Sequence, residues 1–189
     1  MPDPRQRLAL FIDGAYLASA AAALGFETDF KRLLQAFRLQ GTMVRAAYYS
    51  ASDDQPRAPL RPLLDWLAYN GYTVFGRKIR SYPGPDGVRK KLPRIELEIV
   101  IHAMDLSPRI DHMILFSANG DFRRLVAAVQ RRGVRVTVVS TLHAPTLIVA
   151  DELRRQADAF VELRDLRSSL ERRSGDAVVQ GDEGDGKKE

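Results

Sequence analysis

The sequence predicts an α/β fold, a mostly parallel sheet covered by helices on both faces, and three features carry that prediction. Apolar runs such as LALFI (8–12), MILF (113–116) and VTVV (136–139) hold no charge and do not alternate with polar residues, as strands buried on both faces read. Between such runs lie FKRLLQAFRLQG, LRPLLDWLAYNG and FRRLVAAVQRRG, with apolar residues three and four apart and a closing glycine of the kind that ends helices. Strand and helix therefore alternate along the chain, the rhythm of a three-layer α/β/α arrangement.

Taken in order, the first strand is LALFI, which stops at Asp13 and is too short for the apolar core of a signal peptide. Further strands are read at MVRAAYYS (43–50), YTVFG (72–76), HMILFS (112–117), VRVTVVS (134–140) and AFVEL (159–163), with a helix opening at Glu96 before the fourth. Segment 77–94 departs from the rhythm: seven basic residues stand against one acid around Pro83, Gly84, Pro85, Asp86 and Gly87, which reads as an exposed basic hairpin or flap. The expected division is one domain over 1–173 and a disordered tail over 174–189, where no core-forming pattern remains. Leu125, Val126 and Val129 are expected in the core, and Trp66 and Tyr69 are read as packing residues.

Composition narrows the function classes. No apolar run approaches the roughly 20 residues of a membrane span, so no membrane partner is expected. The chain has no cysteine, which excludes disulfides and thiolate chemistry and makes the cytoplasm the default location. Net charge is +5, yet the last 16 residues carry five acids and two bases, leaving +8 on residues 1–173. A basic body favours polyanionic partners. Neither a G-x-G-x-x-G after the first strand nor a G-x-x-x-x-G-K-[ST] is present, which weakens a nucleotide-binding Rossmann reading.

Ligands of an open parallel sheet gather at the carboxyl ends of its strands. There the sequence places Asp13 after the first strand, Ser117, Asn119 and Asp121 after the fourth, and Glu96 at a helix start. Oxygen-only groups of this kind suit Mg2+ or Mn2+, hard ions usually held by a few carboxylates together with water and phosphate. Each residue also has a plain structural role. Asp13 and Asn119 are good helix caps, Asp121 and Glu96 are first-turn acids favoured by the helix dipole, and Ser117 is a small strand-end residue. Glu98, His102 and Asp105 share one helix face, which a solvated surface explains as well as a ligand set does.

The runs FIDGAYL, RIELEIVIHAMDL, DHMILFSANGDFRRLV and LRRQADAFVEL, in this order and spacing, resemble the signature blocks of the NYN domain in its LabA-like branch, related to PIN-domain ribonucleases. The resemblance spans residues 7–163. It implies a PIN-like, Rossmann-like α/β/α fold and an acidic Mg2+ or Mn2+ centre that hydrolyses RNA with an activated water. By position it implies catalytic and metal roles for Asp13, Glu96, Asn119 and Asp121, with Ser117 and Asp158 in support. Departures are also visible. Asn119 stands where the family has an Asp, Ala118 where it has a Gly, Glu96 at an Asp position, His102 where a second helix acid is common, and Tyr16 where an Asn follows Asp-Gly. Asn119 brings no charge and cannot act as a base.

The expected function is therefore a metal-dependent ribonuclease, with RNA along Arg77, Lys78, Arg80, Arg89, Lys90, Lys91, Arg94, Arg123 and Arg124 and with Tyr82 available to stack on a base. The alternative is a catalytically impaired NYN module that binds RNA or a protein partner without cutting, a reading that Asn119 favours. Association of two copies is left open.

Overall fold

The computed structural model describes residues 5–52, 60–78, 81–83, 89–91, 95–144 and 146–172, with backbone alone at 51–52, 77–78, 81–83 and 89–91. Six strands form one sheet: β1 (Arg7–Asp13), β2 (Thr42–Ser52), β3 (Thr73–Lys78), β6 (His112–Phe116), β7 (Arg135–Ser140) and β8 (Ala159–Glu162). Their order is β3-β2-β1-β6-β7-β8, and every pairing is parallel. Each strand of the sheet coincides with one of the apolar runs. Within segment 77–94 a separate antiparallel pair forms between β4 (Ser81–Pro83) and β5 (Arg89–Lys91). Residues 174–189, expected to be a tail, lie outside the described residues.

The order has a mechanical consequence. From β1 the chain steps outward to β2 and then β3, returns across the sheet to β6 on the other side of β1, and steps outward again to β7 and β8. Right-handed crossovers that run in opposite directions must cover opposite faces. Accordingly α1 (Gly14–Ala23), α2 (Phe30–Arg38) and α3 (Arg61–Tyr69) share one face with the short terminal α7 (Arg167–Leu170), where Leu17, Leu33 and Leu67 pack on Leu10, Ile12, Ile114 and Phe116. The other face carries α4 (Ile95–Leu106), α5 (Arg123–Gln130) and α6 (Asp151–Gln156), where Ile99, Val126 and Leu153 pack on Phe11, Leu115 and Val138. Residues 8–12 of β1 are wholly buried, as the absence of charge in LALFI requires. Among the described residues no helix is long and apolar enough to cross a membrane.

Local signals meet this frame with two exceptions. Leu125, Val126 and Val129 are buried and Trp66 packs against the α1–α3 side of the core, but Tyr69 is 89% exposed. It is the last residue of α3, and the buried residue of this helix is Leu67. Gly71 and Gly133 take the left-handed conformation beyond α3 and α5, whereas Gly41 beyond α2 does not.

Gly14 begins α1 directly beneath Tyr48 of β2. A Cβ there would overlap the buried Tyr48 ring, so the ring or the start of α1 would have to shift. Gly14→Ala is expected to destabilise the fold by about 1–3 kcal/mol, the usual cost of overpacking. Urea denaturation followed by circular dichroism checks this, and an unchanged midpoint would show that the ring is free to shift.

Candidate active site

The carboxyl ends of β1 and β6 lie side by side, with Ile12 registered opposite Phe116, at the point where the crossovers diverge. Such a reversal is where the ligand crevices of open parallel sheets form. Asp13 terminates β1 within it. Its Oδ1 accepts a hydrogen bond from the backbone N–H of Tyr16 at 3.1 Å, capping α1. Burial pushes its carboxyl above the ordinary range and the nearby charge of Glu96 adds to that, while hydrogen bonds from the N–H groups of Tyr16 and Ala15 oppose both. Glu96 lies in the first turn of α4, on the opposite face of the sheet from α1. Two carboxyl groups thus reach one crevice from opposite layers. Among the described residues neither forms an ion pair with a cationic side chain.

Two phenols keep close company with Asp13. Burial, followed by the Asp13 charge, pushes Tyr48 up to about 12, so it stays protonated. Tyr16 is raised by burial, partly offset by its bond with Ser140. Its hydroxyl meets Ser140 Oγ at 2.7 Å and accepts the N–H of Thr141 at 3.1 Å, tying α1 to the end of β7. Glu162, at the end of β8, accepts the N–H of Leu142 at 2.9 Å and that of Arg164 at 3.3 Å, with His143 Nδ1 at 3.4 Å. Burial pushes Glu162 upward, but its hydrogen bonds with Thr141, Leu142 and Arg164 and the neighbouring His143 bring it below its ordinary value. Sequence reading did not nominate Glu162 or the Tyr16 hydroxyl. The available signal was the strand-end position of Ser140, Thr141 and Glu162.

After β6 the loop is held by its own side chains. Ser117, buried, accepts the N–H of Asn119 at 3.2 Å, and Asn119 Oδ1 accepts the N–H of Asp121 at 2.9 Å. Asn119 is therefore the N-cap of the 3-10 turn Gly120–Phe122, the structural role that competed with metal binding. Ala118 accepts the N–H of Ala150 at 3.1 Å, and the Glu152 carboxylate and Ala150 occupy the space that a side chain at 120 would need. Glu152 is a second acid on this rim that the sequence did not single out. Asp121, Arg123 and Arg124 are exposed.

The expected set is thus only partly brought together. Asp13 and Glu96 interact, and Asn119 and Asp121 stand at the neighbouring strand end. Among the described residues no three His, Asp or Glu side chains gather in a metal-holding group. Asp158 is at the opposite edge of the sheet: its Oδ2 accepts the N–H of Val136 at 2.7 Å and its own N–H donates to the Val136 carbonyl at 2.9 Å, both at the start of β7. It is a backbone clamp remote from Asp13, not a support for the site. His102 lies on α4 with its ring 4.0 Å from that of Phe75 and Nδ1 3.3 Å from the Tyr49 hydroxyl, a packing role. The side chains of Arg77, Lys78, Arg89, Lys90 and Lys91, and the whole of Arg80 and Arg94, lie outside the described residues. A hard divalent ion nevertheless suits the acid pair in kind: carboxylate oxygens without a described cationic partner are the protein share of a site completed by water and phosphate.

Comparison with known proteins places this geometry. The NYN domain family model matches residues 7–166. The low amplitude and bright protein LabA of Synechococcus elongatus is 32% identical over 171 residues, 88% of each chain. The crystal structure of a protein of unknown function from Vibrio parahaemolyticus is similar in fold, with a TM-score of 0.70 and 24% identity over 90% of this chain and 99% of that one. On the family match over residues 7–166 and the identity to LabA, this chain belongs to the NYN domain family.

Proposed function

We propose that the protein is a metal-dependent ribonuclease acting in the cytoplasm, and the observation that carries this reading is the meeting of Asp13 and Glu96 in the β1/β6 crevice without a cationic partner among the described residues. Asp13 and Glu96 would hold Mg2+ or Mn2+, with Asn119 and Asp121 contributing from the next strand end. An ion bound there supplies Lewis acidity and positive charge beside a phosphodiester. The remaining work belongs to the chain. Tyr16 and Tyr48 stay protonated and shield the Asp13 side from bulk water, and the cap bond from Tyr16 N–H fixes the carboxylate's direction. Arg123 and Arg124 follow Asp121 on the exposed start of α5, where they meet phosphates of a bound strand. Segment 77–94, which follows β3 and precedes α4 and Glu96, carries seven basic residues, and their charge supports RNA as the partner.

The second reading, an RNA-binding or partner-binding module that does not cut, is favoured by the commitment of Asn119 Oδ1 to its cap and by its lack of charge. Cleavage of labelled RNA with Mn2+ or with EDTA separates the two. The ribonuclease cuts only with Mn2+, and Asp13→Asn and Glu96→Gln each lower the rate by about 100-fold or more, the scale of losing one charge-bearing group in a catalytic site. RNA retained in EDTA, with no cutting by the wild type or by Asn119→Asp, establishes the binder instead.

The raised Asp13 also sets a pH dependence. The folded chain holds this proton more tightly than the unfolded chain, so the group's contribution to stability is greatest at low pH and falls as pH rises through its raised value. Asn keeps the cap and removes the charge. In EDTA at neutral pH, Asp13→Asn is expected to melt above the wild type, with the gap closing as pH falls below the ordinary 3.8. Mn2+ raises the melting temperature of the wild type alone. Differential scanning fluorimetry across pH reads both effects, and a lower-melting variant at neutral pH contradicts the assignment.

A further inference from the structure

The edge of the sheet opposite Asp13 holds a cavity of about 720 Å³, within the usual size of small-molecule sites. It lies between the starts of β1, β6, β7 and β8 and the end of α2. Phe37, Ile114, Val161 and Leu166 make an apolar wall, and Gln6 and Gln40 bring amides to it. Deeper in, His112 is 7% exposed, a histidine at a strand position whose neighbours in HMILF are all apolar and buried. Its Nε2 meets Thr137 Oγ1 at 2.7 Å. That bond uses one ring nitrogen, and His112 itself lines the cavity, which puts the imidazole edge within reach of a ligand there.

Charge at the mouth is positive. Asp111 lines it, but its carboxylate is taken by Arg7, whose guanidinium reaches Oδ1 at 2.7 Å and Oδ2 at 3.0 Å. Asp158 nearby is bound to the Val136 N–H. Arg135 also lines the cavity and forms no ion pair among the described residues. An apolar wall, a few hydrogen-bonding groups and an uncompensated guanidinium together specify a ligand with a flat apolar body and one anionic end.

We propose that this cavity binds a small organic anion, a carboxylate or phosphate carried on a ring, with the anion at Arg135, the ring against Phe37 and Ile114, and a ring-edge hydrogen bond to His112. The site is independent of the acid pair and does not rest on the ribonuclease reading. The test is NMR titration of the intact chain with indole-3-acetate and adenosine 5′-monophosphate, with indole, adenosine and inorganic phosphate as controls. His112 is identified among the three histidines by its imidazole, which burial and Arg135 bring down to about 4. At least one organic anion is expected to shift the His112 resonances saturably, about tenfold more tightly than its neutral counterpart, and Arg135→Ala to weaken it about tenfold. A response to the carboxylate alone or to the nucleotide alone supports the proposal and identifies the head group. No response to either anion, an equal response to inorganic phosphate, or undiminished binding in Arg135→Ala overturns it.

Discussion

The reversal of strand order between β1 and β6 is the constraint on which the rest of this molecule depends. It follows from chain connectivity and the hand of the crossovers, and it obliges the helices to divide between the two faces. Because the strands are buried on both sides, β1 has no place for a charge until it leaves the sheet, and Asp13 is that first place. The same reversal means that no crossover joins β1 directly to β6.

What the crevice does to its acids is a matter of competing energies. Burial and a second carboxylate press Asp13 toward the neutral form, whereas the first N–H groups of α1 favour its charge. Opposed influences of this kind leave the carboxyl without the cation that would settle its charge. Glu162 shows the contrast. It is bonded on both oxygens and brings Thr141, Leu142 and Arg164 into order, which makes it a scaffold for the neighbouring loop.

Much of the fold was legible because uncharged, non-alternating runs have few structural explanations, and all six strands followed from them. The site was only half legible. Asp13 and Glu96 could be placed at element ends by local pattern, but whether those ends approach one another depends on strand order, which no local pattern contains. Asn119 carried two readings that short sequence cannot separate, and the 2.9 Å bond to Asp121 N–H shows that the cap is made. Asp158 had a topological clue that went unused: it stands just before β8, and in a parallel sheet the start of a strand lies on the edge away from its neighbours' carboxyl ends. The Tyr16 hydroxyl offered no clue, since its partners are 124 and 125 residues distant.

That last link bears on how the molecule is made. Tyr16 emerges early in synthesis, yet the hydroxyl and amide it must engage belong to residues near the end of the sheet, so its phenol waits for most of the chain before it can be seated. Contacts of such long sequence separation form slowly and late. The crevice beside Asp13 consequently matures only when β7 docks, and partially synthesised chains would carry the acid without the walls that give it its character.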